Sequence, residues 1–283
     1  MRMSIALFLL AVAILTISGC GPPKISDTCQ NGDSYPHPQN LTIKEALFIR
    51  ERNCAPYVLA SAFLIDKERG LFASAKHFVG SESDGQAKIF FNGKIYDGFL
   101  VRLPPITDVA IIKIAGNFNS ADFPEPYIIA QSIKVGDRVF VRGIHPHPKA
   151  LQENKTIIPI SRDYYGELGM DREFVYDNLE GAIIDLTAKI QNKEIGDSSE
   201  LLSEVTNTYI KLETEEDHKF SFGGLSGGPT INERGELVGI NSSERSGGLE
   251  LTEEGLGYHP WKTFHLVPAS ELEKLMPLLA NIK

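Results

Sequence analysis

Short apolar runs separated by tight turns are the feature that most constrains how this chain can fold. Tyr57–Ile65 and Leu71–Ala75 flank Asp66-Lys67-Glu68-Arg69-Gly70, and Lys88–Phe91 and Lys94–Phe99 flank Asn92-Gly93. Asn-Gly is a strong two-residue hairpin signal, because the preferred turn needs positive φ at both positions. Further runs follow at 109–114, 138–143, 156–161, 229–232, 237–242 and 265–267. Strands of this length and spacing predict an all-β barrel or sandwich. Two segments are expected to depart from that pattern. Leu41 to Arg52 has Ile43, Leu47 and Phe48 on one helical face behind a cap at Asn40, and Leu272, Leu275, Met276 and Leu279 form the inner face of a terminal helix capped by Ser270.

Residues 163–205 interrupt the run of strands. They hold eleven acids and three bases, a net charge of −8 within a chain whose net charge is −9. Leu179, Ile183, Leu186 and Ile190 follow helical spacing and Ser198 could cap a second short helix, so a partly helical acidic insertion is expected. An acidic chain lacks the clustered positive charge that phosphate contacts require, which argues against nucleic acid as a partner. His145-Pro146-His147 has no companion set at metal spacing, so neither a metal nor a cofactor is expected.

The first residues read as an address. Arg2 precedes an apolar run from Ile5 to Leu15, which is signal-peptide length and short for a bilayer span. The sequence Leu15-Thr16-Ile17-Ser18-Gly19-Cys20 then resembles a bacterial lipobox. That resemblance implies a signal peptide over 1–19 and lipidation at Cys20, and the four prolines and scarce apolar residues of 21–40 make 20–40 read as the lipidated cysteine and its tether. It also implies a cell-envelope location, at the outer membrane facing the periplasm in a Gram-negative host. Export leaves Cys29 and Cys54 as an even pair in an oxidising compartment, which suggests one disulfide.

Three separated segments carry chemistry. Gly224-Leu225-Ser226-Gly227-Gly228-Pro229 places a serine among glycines, where backbone amides can converge on one point without side-chain clash. Upstream stand Ala73-Ser74-Ala75-Lys76-His77 and Thr107-Asp108-Val109-Ala110-Ile111. Together, and in the order His, Asp, Ser, they resemble the trypsin-like (chymotrypsin-fold) serine proteases, in particular the bacterial HtrA-like protease domain without a PDZ domain. The resemblance runs over about residues 55–280. It implies two six-stranded antiparallel β-barrels within a domain at 41–283 and a polypeptide substrate. It assigns His77 as base, Asp108 as its orienting carboxylate and Ser226 as nucleophile, with the Gly224 and Ser226 amides as the oxyanion hole.

By the same pattern Phe220 lies near the base of the primary specificity pocket, with Ser221 and Asn241 on its walls. Nothing acidic stands there, so a small or aliphatic residue before the cut is expected. The sequence departs from the family at three points. Leu225 replaces the aspartate of digestive members, Lys76 abuts His77, and the acidic insertion lengthens the path from Asp108 to Ser226. A non-catalytic lipoprotein that uses the same scaffold to bind peptides or an envelope partner is the competing reading. The sequence does not fix the oligomeric state.

Overall fold

The computed structural model describes residues 43–52, 55–79, 85–101, 108–148, 156–157, 172–195, 201–218, 223–245, 248–252, 255–259 and 261–280. Cys20, Cys29, Cys54, Phe220 and Ser221 lie outside these residues, as do the leader and tether. Among the described residues no helix is long and apolar enough to cross a membrane, and no group of His, Cys, Asp and Glu could hold a metal ion.

Two closed six-stranded antiparallel β-barrels follow one another along the chain. The first comprises β1 (Glu45–Arg52), β2 (Ala55–Asp66), β3 (Leu71–Ser74), β4 (Gln86–Phe91), β5 (Lys94–Val101) and β6 (Ala110–Ile114), closed in the order β1-β2-β3-β6-β5-β4. The second runs β10 (Leu201–His218), β15 (Trp261–Pro268), β12 (Leu237–Arg245), β11 (Pro229–Asn232), β7 (Arg138–Pro148) and β9 (Arg172–Ile195). The β9–β10 pairing closes it, and the short β8 (Thr156–Ile157) adds to β9. A separate hairpin joins β13 (Gly248–Thr252) to β14 (Gly255–His259), and the helix α1 (Ala269–Leu279) ends the described chain.

The near-continuous apolar strands of the first barrel are explained by burial on both faces. Along β2, Ala60, Ala62 and Leu64 fill the barrel with Phe72, Phe91 and Ile112. The alternate residues Phe63 and Ile65 face outward into a second cluster, with Leu71, Ile111, Leu237, Ile240, Val267 and the α1 leucines. That shared cluster cements the barrels together beneath the helix. A third cluster, including Val141, Leu179, Ile183, Leu212, Leu225 and Leu266, fills the second barrel. In the β4–β5 turn, Asn92 and Gly93 adopt φ of 48° and 77°, the backbone that the Asn-Gly pair foretold.

Several expectations are corrected. Residues 45–52 form a strand, not a helix. Every residue from Glu45 to Arg50 is buried, which a helix lying on a surface with one apolar face cannot achieve. Helix α1 starts after Pro268, so Ser270 sits inside its first turn and does not cap it.

The described part of the acidic insertion is β structure. Strands β9 and β10 form a long hairpin, and the region proposed around Ser198 is outside the described residues. The helical spacing there has a specific origin. Tyr209, Lys211 and Leu212 of β10 face Ala188, Asp185 and Ile183 of β9. β9 therefore advances three residues where β10 advances two, and then two where β10 advances one. Leu186 lies in this bulged stretch and packs against the second-barrel core. Ile190 lies beyond it and packs into the inter-barrel cluster. Four apolar residues at intervals of four, three and four thus serve two different clusters from one irregular strand.

Candidate active site

The end of β3 delivers His77. Ser74 closes the strand, and a 3₁₀ turn, Lys76–Phe78, carries the imidazole out to where its side chain is 43% exposed. Asp108 stands just before β6, whose pairing with β3 brings it beside that turn. Its carboxylate accepts twice from one residue: Oδ1 takes the His77 backbone N–H at 2.7 Å, and Oδ2 faces His77 Nδ1 at 2.7 Å. The second contact favours the tautomer with the proton on Nδ1, which leaves Nε2 as a proton acceptor. Phe78 flanks the ring at a centroid distance of 4.3 Å.

Ser226 lies in the loop between β10 and β11. Gly224 and Gly227 take φ of 102° and 86°, a region that side-chain-bearing residues rarely enter. Gly227 has a second reason to be glycine, since a Cβ there would stand 2.2 Å from the Ser61 carbonyl oxygen and 2.3 Å from Ser74 Oγ. The loop is thus wedged against β2 and β3 of the first barrel.

The polar contacts of the loop set the direction of its amides. Leu225 O accepts from Gly228 N at 3.0 Å and from Asn241 Nδ2 at 3.2 Å. A trans peptide holds its N–H opposite its carbonyl, so the Ser226 N–H points away from that buried side. Among the described residues neither the Ser226 nor the Gly224 N–H donates to another group. The loop therefore offers two amide donors beside the serine hydroxyl.

Ser242, in β12, was not singled out in the sequence. Its hydroxyl donates to Asp108 Oδ2, and its carbonyl accepts from Ser226 Oγ at 3.2 Å. A continuous chain of contacts therefore runs from Ser226 through Ser242 to Asp108 and His77. No spacing rule distinguishes Ser242 from its neighbour Ser243; only the register of β12 does.

Asn241, which the family pattern assigns to a pocket wall, lies against the serine loop. It is 1% exposed. Its Oδ1 accepts from Thr230 Oγ1 at 2.6 Å, and its Nδ2 donates to Arg142 O and Leu225 O at 3.1 and 3.2 Å. Its polar atoms brace the serine loop from beneath. Lys76 is exposed beside His77, and among the described residues its side chain makes no ion pair.

The fold and this arrangement define a two-barrel protein of the trypsin-like class. Residues 60–240 match the model of the trypsin-like peptidase domain, and the chain belongs to that family. Similar solved structures include the active form of the Rv3671c protease from M. tuberculosis. It is 16% identical, with 84% of this chain and 79% of that one covered and a TM-score of 0.50. The serine endoprotease from Yersinia pestis is 19% identical, with 84% and 63% covered and a TM-score of 0.47. The MamO protease domain from Magnetospirillum magneticum is 18% identical, with 82% and 94% covered and a TM-score of 0.46. No curated protein matches the chain.

Proposed function

We propose that the chain is a serine endopeptidase of the bacterial cell envelope, held at a membrane by lipid on Cys20. The observation that carries the catalytic reading is the double contact of Asp108 with His77, linked through Ser242 to Ser226. The Ser226 hydroxyl attacks the substrate carbonyl carbon while His77 Nε2 takes its proton. The carbonyl electron pair moves onto oxygen, which the Gly224 and Ser226 amides stabilise. His77 then gives the proton to the leaving amine, and water repeats the sequence to release the acyl group. Asp108 holds the imidazole and stabilises its charged form. The Ser226 hydroxyl must swing from the Ser242 carbonyl toward Nε2, a tightening expected when substrate binds.

The lipobox-like leader supports the envelope location. The absence of an acidic residue at Phe220 and Ser221 supports a preference for a small or aliphatic residue before the cut. The competing reading, a peptide-binding scaffold without catalysis, draws on the contact of Ser226 Oγ with a carbonyl and on Lys76 beside the imidazole. Fluorophosphonate labelling of the full chain in detergent separates them. The wild-type protein is expected to label and Ser226→Ala is not. A folded wild-type protein that neither labels nor cleaves peptides would sink the peptidase reading.

A further inference from the structure

Ser61 stands at the junction of the two barrels, fully buried in the middle of β2. Its N–H and hydroxyl contact backbone groups, and its carbonyl accepts from Ser74 Oγ at 2.7 Å. Its N–H is shared between Gly224 O at 2.8 Å and Ser226 O at 2.9 Å. Its hydroxyl lies 2.8 Å from Gly224 O and 3.0 Å from Ile144 O, and accepts from Ile144 N at 2.9 Å. A hydroxyl has one proton, so that proton serves two carbonyls, with Gly224 O the nearer. One residue of the first barrel thereby holds the two carbonyls on either side of the Leu225–Ser226 peptide, and ties them to β7 of the second barrel.

We propose that Ser61 is a positioning residue for the oxyanion site, acting through the Gly224 and Ser226 backbone. This rests on the peptidase reading above. The Gly224 N–H and carbonyl are separated only by the φ and ψ of a residue that has no side chain to restrict them. Fixing the carbonyl with two donors removes much of the freedom by which that N–H could turn away. Asn241 and Gly228 hold the intervening Leu225 carbonyl from the other side, so the peptide is gripped between two barrels.

The neighbours leave little room for a different occupant. A Cβ on Gly143 would stand 2.4 Å from Ser61 Oγ, and one on Gly227 would stand 2.2 Å from Ser61 O. Both glycines clear space around this serine. In Ser61→Ala the backbone donor stays and the hydroxyl donor goes, so the Gly224 carbonyl is held by one donor in place of two. Removing an oxyanion donor outright reduces kcat about 100- to 1,000-fold, so misaiming one should reduce it about 10- to 100-fold.

The test uses the full chain in detergent micelles with a cleaved peptide substrate. For Ser61→Ala, kcat is expected to fall about 10- to 100-fold with KM within about twofold of wild type. The pH dependence of the rate should keep its midpoint, because the His77–Asp108 pair is untouched. Inhibition by a peptide aldehyde, whose adduct with Ser226 places an oxyanion in the site, should weaken in proportion to kcat/KM. Ser61→Gly removes the same hydroxyl without adding bulk and should show a loss of the same order; it serves the same test if the alanine protein does not fold. An active wild type with unchanged kcat in both variants overturns the proposal. So does a loss that moves the pH midpoint, or one that leaves aldehyde affinity intact. A wild type that neither cleaves nor labels overturns the peptidase reading, and this proposal with it.

Discussion

At the scale of single residues, the candidate site rests on groups beyond the three motifs that carry it in the sequence. Ser242 donates to Asp108 through its side chain and accepts from Ser226 through its backbone. Removing the side-chain half should loosen the carboxylate without disturbing the serine loop. A hydrogen bond to a charged group contributes about 1.5–3 kcal/mol. If the full amount is felt only as His77 gains its proton, Ser242→Ala loses about 10- to 100-fold in kcat. KM should stay near that of wild type, which steady-state kinetics on one peptide would check; a rise in KM alone would contradict the role. His77, Asp108 and Ser226 were legible in the sequence because each sits in a segment of distinctive composition. Ser61 and Ser242 were not. Their importance comes from strand register and from contact across the barrels, and a serine in an apolar strand carries no mark of either.

At the scale of elements, the sequence conveyed the strands and missed the hairpin. Strands bounded by Gly-containing turns were readable from Tyr57 onward, since alternating burial and turn chemistry agree locally. The hairpin β9–β10 was not, because its bulged stretch scatters apolar residues at a helix-like period. That stretch has its own brace. Asp185 Oδ1 accepts from the Thr187 backbone N–H at 2.7 Å and from its hydroxyl at 3.1 Å. The backbone bond first, and then the hydroxyl, hold the Asp185 carboxyl below its ordinary pKa. A depressed folded-state pKa means that the carboxylate stabilises the fold above its unfolded value, and that this contribution is lost as pH falls through the folded value. Asp185→Ala should therefore lower the urea midpoint at neutral pH, and the difference from wild type should shrink in acid. Urea titrations at about pH 7 and about pH 3 would check this. A difference of the same size at both would assign the loss to something other than the charge.

At the scale of the whole molecule, the two barrels share polar burial as well as an apolar seam. Glu45 of the first barrel is 2% exposed. Its carboxylate accepts from Tyr127 Oη at 2.5 Å, on the segment that links the barrels, and from Lys44 N at 3.0 Å. Arg142 of the second barrel lies close enough to favour its charged form. Burial outweighs these partners and raises the Glu45 pKa. Burial also raises that of Tyr127, reinforced by the Glu45 charge, so the phenol remains a donor. The sign of the linkage is opposite to that of Asp185. A carboxyl whose folded pKa is raised contributes most below its unfolded pKa, and stability falls as pH rises through the raised value. Tyr127→Phe removes a donor that the ionised form uses, so it raises that pKa further and steepens the loss. The variant should match wild type most closely in acid. It should fall behind by about 1–3 kcal/mol once Glu45 is charged, the usual penalty for a buried polar group that loses its partner. Urea unfolding across that range reads the difference directly; because phenylalanine keeps the ring, a gap independent of pH would show that the hydroxyl acts through something other than the charged Glu45 carboxylate.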